Sequence, residues 1–428
     1  MLKSLGFLEN RNGELYIDKV SSLRLAEEYG TPLYVLSEKR IRENFRRLCK
    51  ALSFTTKNFR IYYAAKANTN LSVLKILKDE GAYLDTVSPG EIYLALKAGF
   101  SPEKILFTGT SVRDDELKFL VDVGVTINID SFSQLKRLLK ISIPEILSFR
   151  VNPQIEAGHH QHCITAGKES KFGFWEDKVV DAYKTALNMG VKKFGIHMHI
   201  GSGILEVEPF ILAVGKLLTI AKKIHEETGI VFDFIDIGGG LGIPYKPEEK
   251  ELDLERFSRD VFGYLRDKVE EYGLGNPTFC VEPGRYLVGD AGILLTTVNT
   301  LKVTPFKKFV GVDAGFNLLI RPVMYGSYHE IVVANKLNQP LTETYDVVGP
   351  LCESGDFLAK DRLLPKIEEG DLLAILNTGA YGYVMSSQYN SRPRCGEVLV
   401  KDGKYELVRE KENFESLLFG QKFARWLI

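Results

Sequence analysis

A lysine at the end of an apolar run is the first residue in this chain that could do covalent chemistry. Lys66 follows the segment IYYAA, which is typical of a buried strand. A desolvated lysine amine is a good nucleophile towards carbonyl groups and suits Schiff-base chemistry. The alternative is a lysine whose ammonium reaches solvent at the rim of the fold. Spacing alone leaves both roles open.

Glycines and polar side chains follow three further apolar runs. Gly238–Gly240 come directly after the run FIDI, and Ser202 lies in HIGSG. Successive glycine amides can cradle a phosphate, although a tight turn is the simpler explanation of a glycine run. Glu282 and Arg285 occur together in VEPGR. They are either ligand-binding groups or an ordinary salt bridge.

Histidines occur in two groups. His197 and His199 alternate in GIHMH and would share one face of a strand, where a core histidine is the alternative to a ligand. His159, His160 and His162 lie in the glycine-flanked loop AGHHQHC. Neither a carboxylate nor a cysteine completes a metal-ligand spacing around this loop, so we predict no metal.

The elements that must position these groups alternate along the middle of the chain. Short β-branched or aromatic runs are separated by amphipathic helical stretches, which predicts a (β/α)8 barrel over residues 37–287; a doubly wound open sheet is the alternative. Functional groups of such barrels lie at the C-terminal ends of the strands. The predicted strands are Arg60–Lys66, Tyr83–Ser88, Ile105–Thr110, Thr126–Asp130, Ile146–Asn152, Phe194–Gly201, Phe234–Gly240 and Thr278–Tyr286.

The last third of the chain has a different pattern. Residues 288–428 contain closely spaced β-rich runs bounded by Gly, Asn, Asp or Pro, which predicts an antiparallel β-domain. Residues 1–36 are also β-like, so we expect a discontinuous β-domain into which the barrel is inserted. Three polar clusters interrupt its strands, and each could be a simple turn or part of a site. They are RPVMYGSYHE (Arg321–Glu330), GPLCESGD (Gly349–Asp356) and TGAYGYVMSSQYNSRPR (Thr378–Arg394).

Composition excludes several classes of function. The 428 residues contain 55 Lys and Arg against 56 Asp and Glu, a net charge of −1, so charge gives no case for nucleic acid or anionic membrane as a partner. No run approaches about 20 apolar residues, and we expect neither a membrane span nor a secretory signal. The five cysteines are scattered without metal or redox spacing, which predicts free thiols and a cytoplasmic location.

Seven motifs occur in order along most of the chain: YYAAKAN, HMHIGSG, DIGGGLGIPY, EPGRYLV, RPVMYGSYH, GPLCESGD and GAYGYVMSSQYNSRPR. With these motifs the chain resembles the fold type III pyridoxal-phosphate decarboxylases, most closely the diaminopimelate decarboxylases. The resemblance implies a barrel with a C-terminal β-domain, as in alanine racemase and eukaryotic ornithine decarboxylase. It also implies pyridoxal 5'-phosphate as cofactor and decarboxylation of meso-2,6-diaminopimelate to L-lysine, the final step of lysine biosynthesis.

The resemblance implies a set of cofactor-binding residues. Lys66 would carry the cofactor, His199 would stack on its ring, and Glu282 would pair with the pyridine nitrogen. Lys66, His199 and Cys352 are the implied catalytic residues. The other implied cofactor contacts are Asp85, Ser202, Gly239, Gly240, Pro283, Gly284, Arg285 and Tyr381.

The resemblance also implies how the substrate is bound. Cys352 would return a proton to the product, and Glu353 would bind the distal amino group. In this family both residues enter the active site from a second subunit, which implies an obligate homodimer. The implied substrate-binding residues are Arg285, Arg321, Tyr325, Glu353 and Tyr381.

Two segments depart from the family pattern, and related activities stay open. Pro89 stands in VSPGE where relatives usually have glycine, and Thr165–Gly167 vary a mobile loop. Relatives act on ornithine, arginine or carboxynorspermidine, but Arg321 favours a second substrate carboxylate. A racemase sharing the barrel is a further alternative. A catalytically inactive binding protein would be expected to lack Lys66, Glu282 or Cys352, and all three are present.

Overall fold

Two units make up the chain in the computed structural model, which describes residues 6–155 and 170–427. The β-unit comprises the described residues up to Arg40, the short segment Tyr245–Pro247, and the described residues from Gly289 onwards. The barrel unit comprises the described residues of Ile41–Pro244 and Glu248–Val288. Each unit is therefore assembled from separate stretches of the chain.

The first described elements, up to the start of helix α2, belong to the β-unit. Helix α1 begins after Ser21, whose hydroxyl accepts a hydrogen bond from the amide of Arg24, and it ends at Gly30 with φ of 73°. A serine cap and a left-handed glycine are common helix boundaries. The elements are β1 (Leu8–Arg11), β2 (Glu14–Ile17), β3 (Val20–Ser21), α1 (Ser22–Tyr29), β4 (Leu33–Ser37) and α2 (Glu38–Thr55), with β1, β2 and β3 forming a small antiparallel sheet.

Parallel strands in the described residues close into an eight-stranded barrel, in which the last strand pairs with the first. The prediction of a (β/α)8 barrel is confirmed. Each predicted strand ran too far at its C-terminal end, because the polar and glycine residues there leave the ladder. The strands are β5 (Phe59–Ala64), β6 (Tyr83–Thr86), β7 (Ile105–Phe107), β8 (Thr126–Ile129), β9 (Ile146–Arg150), β10 (Lys193–His197), β11 (Phe234–Asp236) and β12 (Thr278–Val281).

Amphipathic helices follow the barrel strands. Asn70 and Ser88 cap two of them through their side-chain oxygens, which satisfies backbone amides that a helix start leaves open. The helices are α3 (Leu71–Asp79), α4 (Pro89–Lys97), α5 (Asp114–Val123), α6 (Phe132–Ile141), α7 (Glu176–Asn188), α8 (Glu208–Thr228), α9 (Leu254–Arg256), α10 (Gly263–Glu271) and α11 (Arg285–Val288), with a π-helical turn over Phe257–Phe262.

A layer of apolar side chains fills the lower part of the barrel interior. Tyr62, Leu106, Phe234 and Cys280 form this buried cluster. A Cβ atom on Gly195 would lie 2.2 Å from the ring of Phe234, so only glycine fits beside that ring. We call this layer the barrel floor. Inward-facing residues two positions further along the same strands lie one layer above it.

The β-unit is built around one long strand, β13, which pairs with β4, β14 and β18. Most pairings are antiparallel, but β14 with β16 and β4 with β19 are parallel, which differs from the fully antiparallel expectation. The elements are β13 (Gly292–Val303), β14 (Lys308–Val312), α12 (Arg321–Tyr325), β15 (Ile331–Val333), β16 (Glu343–Val348), β17 (Phe357–Leu364), β18 (Leu372–Ile375), β19 (Gly396–Lys401), β20 (Lys404–Arg409) and α13 (Phe414–Leu418).

Side chains alternate across this sheet to form two cores. Tyr34 and Leu294 contribute to one apolar cluster, while their chain neighbours Val35 and Leu295 contribute to the other. This is the period-two pattern of a sheet with both faces covered. Across the described residues of both units, no helix combines the length and apolar character that a membrane span needs.

Candidate functional site

Lys66 lies at the carboxyl end of β5, in a short 3-10 turn over Ala65–Ala67. Its Nζ donates to Oδ2 of Asp85 at 2.7 Å, and the hydroxyl of Thr108 donates to Oδ1 of the same carboxylate at 2.5 Å. The Asp85 side chain has no exposed surface, whereas that of Lys66 is 34% exposed. Burial, and next Glu282, raise the pKa of Asp85. The lysine therefore has a buried anchor and an accessible amine.

The turn that carries Lys66 is held by its neighbours. The phenol of Tyr63 donates to the carbonyl of Asn68 at 2.8 Å, and the amide of Asn70 donates to the Asn68 side chain at 3.0 Å. Asn70 in turn caps α3. These bonds hold the turn that follows the end of β5 at Ala64. They therefore fix the backbone position from which the Lys66 side chain extends.

Glu282 is the second charged group at this end of the barrel, directly after β12. Its Oε2 lies 3.1 Å from Nε2 of His197, and both side chains are almost completely buried. Burial opposes the charge, but His197, and next Lys66, outweigh it and lower the pKa of Glu282 to about 2. Glu282 is therefore an anion at neutral pH.

Asp236 places another carboxyl group beside Glu282, at the end of β11. Its Oδ1 accepts a hydrogen bond from the amide of Gly238 at 2.8 Å. One ligand atom each from Asp236, Glu282 and His197 lie within 4.8 Å of one another. Burial, and next the charge of Glu282, raise the pKa of Asp236 well above its usual range. The pKa values of two adjacent carboxyl groups are thus shifted in opposite directions, that of Glu282 downwards and that of Asp236 upwards.

His199 faces the glycine run that follows β11. Its Nδ1 accepts a hydrogen bond from the amide of Gly239 at 3.0 Å. Burial, and next Arg150, lower the pKa of His199 well below its usual range, so the ring is neutral. A Cβ at Gly238 or Gly239 would lie 2.2 or 2.3 Å from a backbone oxygen. These positions must be glycine because the chain segments approach so closely.

Arg285 and Ser202 meet at the same end of the barrel. Both Nε and Nη2 of Arg285 donate to the hydroxyl of Ser202, at 3.3 and 3.1 Å. Arg285 begins α11 and is 4% exposed. The buried segment before it is tied to the first strand, because the carbonyl of Pro283 accepts from the amide of Ala64 at 3.2 Å. Gly284 lies between Pro283 and Arg285 in the segment after β12, and Gly240 lies in the loop after β11.

Several residues at this end were missed from the sequence. Arg150, the last residue of β9, is a buried cation. Asn128, next to last in β8, and Asp236, the last residue of β11, are also buried. All three are polar or charged residues in the last positions of an apolar strand, and this pattern could have identified them.

The β-unit contains a separate cluster around Arg321, which begins α12 and is 1% exposed. Its Nε donates to Nε2 of His329 at 3.4 Å, and its Nη2 to the hydroxyl of Ser327 at 3.2 Å. The guanidinium lies 5.0 Å from the ring centre of Tyr245. Tyr325 is half-buried at the end of the same helix. The sequence pointed to Arg321 and Tyr325 but did not single out Tyr245 or His329.

Cys352 and Glu353 lie on an exposed loop between β16 and β17, which we call the cysteine loop (residues 350–356). The amide of Cys352 donates to the Asn390 side chain at 2.8 Å, and the phenol of Tyr389 donates to Glu353 at 2.6 Å. Asp356 closes the loop by accepting from the amide of Leu351 at 2.9 Å. These bonds hold the backbone at Cys352 and the carboxylate of Glu353, while both side chains stay exposed.

Tyr381 lies in the β-unit with a left-handed backbone, φ 57°. A bulky residue with positive φ is strained, and it is held here by bonds from the amides of Thr378 and Gly379 to the carbonyls of Gly292 and Gly289. His159, His160, His162, Cys163 and Thr165–Gly167 lie outside the described residues.

Comparison with known proteins assigns the barrel to a family. Residues 38–289 match the family "Pyridoxal-dependent decarboxylase, pyridoxal binding domain". A diaminopimelate decarboxylase from Methanothermobacter thermautotrophicus is 59% identical over 98% of both chains. One from Archaeoglobus fulgidus is 43% identical over 97% of this chain and 99% of its own.

A solved structure extends the likeness to the fold. The crystal structure of diaminopimelate decarboxylase from M. jannaschii in co-complex with L-lysine superposes with a TM-score of 0.93. It is 34% identical and covers 100% of both chains. The similarity therefore includes both the barrel and the β-strands that follow it.

Proposed function

The chain belongs to the pyridoxal-dependent decarboxylases, and we propose that it removes one carboxyl group from meso-2,6-diaminopimelate to give L-lysine and carbon dioxide. The observation that carries this proposal is the 59% identity, over 98% of both lengths, to a diaminopimelate decarboxylase. The relative crystallised with L-lysine has the same fold over its whole length. The reaction is the last step of lysine biosynthesis by the diaminopimelate route.

The residues at the carboxyl end of the barrel fit pyridoxal phosphate. Lys66 offers an accessible amine on a buried anchor. Oε1 of Glu282 is buried and has no hydrogen-bond partner among the described residues, which suits a cationic N–H from a ligand ring. Gly238 and Gly239 leave no room for side chains. When bound, pyridoxal phosphate supplies an electron sink for the electron pair left by the departing carboxyl group.

The protein's own residues then have distinct tasks in the proposal. Glu282, an anion with a pKa of about 2, holds a proton on the ring nitrogen of the cofactor by charge attraction. The neutral ring of His199 would stack on the cofactor without adding a competing positive charge. Asp85 fixes Lys66 through the 2.7 Å bond. Ser202, Arg285 and the backbone at Gly239, Gly240, Pro283 and Gly284 would hold the phosphate, and Tyr381 would contribute to the same task in the proposal.

Arg321 gives the substrate its specificity in this proposal. A guanidinium binds a carboxylate with two parallel hydrogen bonds, and diaminopimelate differs from ornithine in having a second carboxylate. Tyr325 and Arg285 assist this binding, and Glu353 binds the distal ammonium. Because Arg321 is buried and braced by His329 and Ser327, its position is set before substrate binds.

Cys352 and Glu353 need a covering surface to act in a water-excluding site. Both are exposed in the single chain. We therefore propose a homodimer, in which the cysteine loop of one subunit serves the barrel of the other and Cys352 returns the proton to the product carbon. We also propose that the enzyme works in the cytoplasm, where its scattered cysteines stay reduced.

One assay tests the proposed function. Purified protein should form lysine and release carbon dioxide from meso-diaminopimelate, and the activity should fall when pyridoxal phosphate is removed and return when it is added. Ornithine and arginine, supplied at the same concentration, should give little gas. Carbon dioxide from ornithine but not from meso-diaminopimelate would overturn the substrate assignment. Racemised diaminopimelate without gas would identify an isomerase instead.

A further inference from the structure

Glu282 is held through only one of its two oxygens. Nε2 of His197 lies 3.1 Å from Oε2, while Oε1 is buried without a hydrogen-bond partner among the described residues. His197 is the last residue of β10 and is 1% exposed. A buried imidazole bonded to a buried carboxylate restricts the rotation of that carboxylate, because losing the bond would leave both groups unsatisfied.

Asn128 lies beside the other ring nitrogen of His197. Its Nδ2 lies 3.4 Å from Nδ1 of the ring, and an amide N–H at that position requires a lone pair on Nδ1. The ring proton is then on Nε2, facing Glu282. If the amide is turned by 180°, Oδ1 of Asn128 accepts from Nδ1–H instead and the ring is a cation. In both arrangements Nε2–H donates to Oε2 of Glu282.

Asp236 explains why such a restraint is needed. Its Oδ2 is also buried without a hydrogen-bond partner among the described residues, and it belongs to the same 4.8 Å group as Glu282 and His197. Two neighbouring carboxyl groups tend to share one proton between them. A Glu282 side chain that turned towards Asp236 would lose its full negative charge and its free oxygen.

We propose that His197 is a positioning residue for the decarboxylation: by occupying Oε2 of Glu282 it keeps that carboxylate away from Asp236 and leaves Oε1 for the ring nitrogen of the cofactor. The inference rests on the proposed function, in which Glu282 meets that nitrogen. It adds a role for three residues, Asn128, His197 and Asp236, that act on the cofactor only through Glu282.

A double-mutant cycle read on cofactor binding tests this role. His197→Phe removes the donor, and His197→Gln keeps an N–H of similar reach. Each is made in the wild type and in Glu282→Gln. The measurements are the dissociation constant of pyridoxal phosphate, the absorption spectrum of the bound cofactor, and kcat. His225→Phe, in α8 and bonded to the carbonyl of Ile230, controls for the loss of a histidine.

His197→Phe should weaken cofactor binding and lower kcat by roughly 10- to 100-fold, the usual effect of removing a residue that orients a functional group. Its spectrum should shift in the same direction as that of Glu282→Gln. His197→Gln should restore most of the wild-type behaviour. In the Glu282→Gln background, His197→Phe should add less than about threefold, since residues that act through one another are not additive.

Three outcomes would overturn the inference: equal effects of His197→Phe in both backgrounds, a spectrum shifted in the opposite direction, or His197→Gln as damaging as His197→Phe. If His197→Phe does not fold, Asn128→Leu takes its place in the cycle, with a smaller shift expected in the same direction. Failure of the proposed function is seen separately, as absence of lysine formation by the wild type, because cofactor binding and spectra do not depend on the identity of the substrate.

Discussion

The carboxyl end of the barrel buries its charged groups, whereas the cysteine loop of the β-unit leaves its functional groups exposed. Asp85 and Glu282 have almost no exposed side-chain surface, and each is bonded to a cation or an imidazole inside the same barrel. Cys352 and Glu353 are exposed, and their bonds come from the neighbouring residues Asn390 and Tyr389. The barrel thus pairs its charged groups within one chain, whereas the loop leaves its groups exposed.

This difference separates two kinds of failure. A change inside the barrel should alter how the cofactor is held, because the groups there bond to one another. A change in the cysteine loop should alter turnover and leave the cofactor bound. Four substitutions, ordered by expected effect, test whether the two regions can be separated in this way.

Lys66→Ala should have the largest effect. It removes the accessible amine and leaves Asp85 buried without its 2.7 Å partner. We therefore expect kcat to fall by at least about a thousandfold and the near-visible absorption of the bound cofactor to disappear. Spectroscopy of the purified protein and a carbon dioxide assay measure both. Lys75→Ala, on the exposed face of α3 and paired with Asp79, is the control. A coloured, active Lys66→Ala protein would contradict the role of this lysine.

Cys352→Ala should come next and should act on turnover alone. A lost proton donor typically lowers kcat by about 10²–10⁴-fold, and the exposed thiol makes no contact that holds the barrel cluster. The cofactor spectrum and its dissociation constant should therefore match the wild type. Cys49→Ala, which removes a half-buried thiol from α2, is the matched control. Loss of bound cofactor in Cys352→Ala would show that the two regions are not separable.

Arg321→Ala should mainly raise KM for diaminopimelate. Losing a charged hydrogen bond costs about 1.5–3 kcal/mol, which corresponds to roughly 10- to 100-fold in KM, while cofactor affinity should stay the same. Arg321→Lys, which keeps the charge but not the two-pronged geometry, should lie between the wild type and the alanine variant. Titration of initial rates gives KM, and equal losses of substrate and cofactor binding would be incompatible with the assignment.

Glu91→Gln should have the smallest effect, and on stability. Glu91 accepts a bond from the amide of Val87, and burial raises its pKa from 4.5 to about 7. The folded state therefore binds more protons than the unfolded state between these values, so stability falls as pH rises from about 4.5 to 7. Glutamine removes this cost and keeps an acceptor.

At pH 8 the Glu91→Gln protein should be more stable by about 1–3 kcal/mol, allowing for partial exposure of the side chain. At pH 4.5 the two proteins should be close to equal. Glu91→Ala lacks the acceptor for Val87 and should be destabilised at both pH values. Urea unfolding curves give these free energies, and a Glu91→Gln protein less stable than the wild type at pH 8 would refute the argument.

Local patterns in the sequence were sufficient to predict the barrel and several of the charged residues at its strand ends. Each strand is a short apolar run followed by an amphipathic helix, and Lys66, Asp85 and Glu282 stand at or just after the strand ends. These are properties of neighbouring residues. The strand limits were less accurate, since the bond from Tyr63 to Asn68 that turns the chain at Lys66 involves side chains whose partners cannot be known from periodicity.

Pairings between distant residues were beyond the sequence patterns. His197 and Glu282 are 85 positions apart, and their contact depends on β11 pairing with both β10 and β12. His197 and His199 were expected to share one face of a strand, but only His197 belongs to the strand. The strand ends at His197, and the two rings bond to different partners, Glu282 and the amide of Gly239. Tyr245 contacts Arg321 within the β-unit, although the chain on both sides of Tyr245–Pro247 belongs to the barrel unit. No local pattern predicts this assignment.

The barrel floor occupies the barrel interior below the charged groups at the carboxyl end. Among the described residues, the ring of Phe234 lies against Gly195, and Tyr62, Leu106 and Cys280 are buried in the same layer. Substrate and amino-acid product of the proposed reaction would therefore bind at the same carboxyl end and compete for it. Lysine should accordingly act as a competitive inhibitor, so that a full cellular store of the product slows its own manufacture.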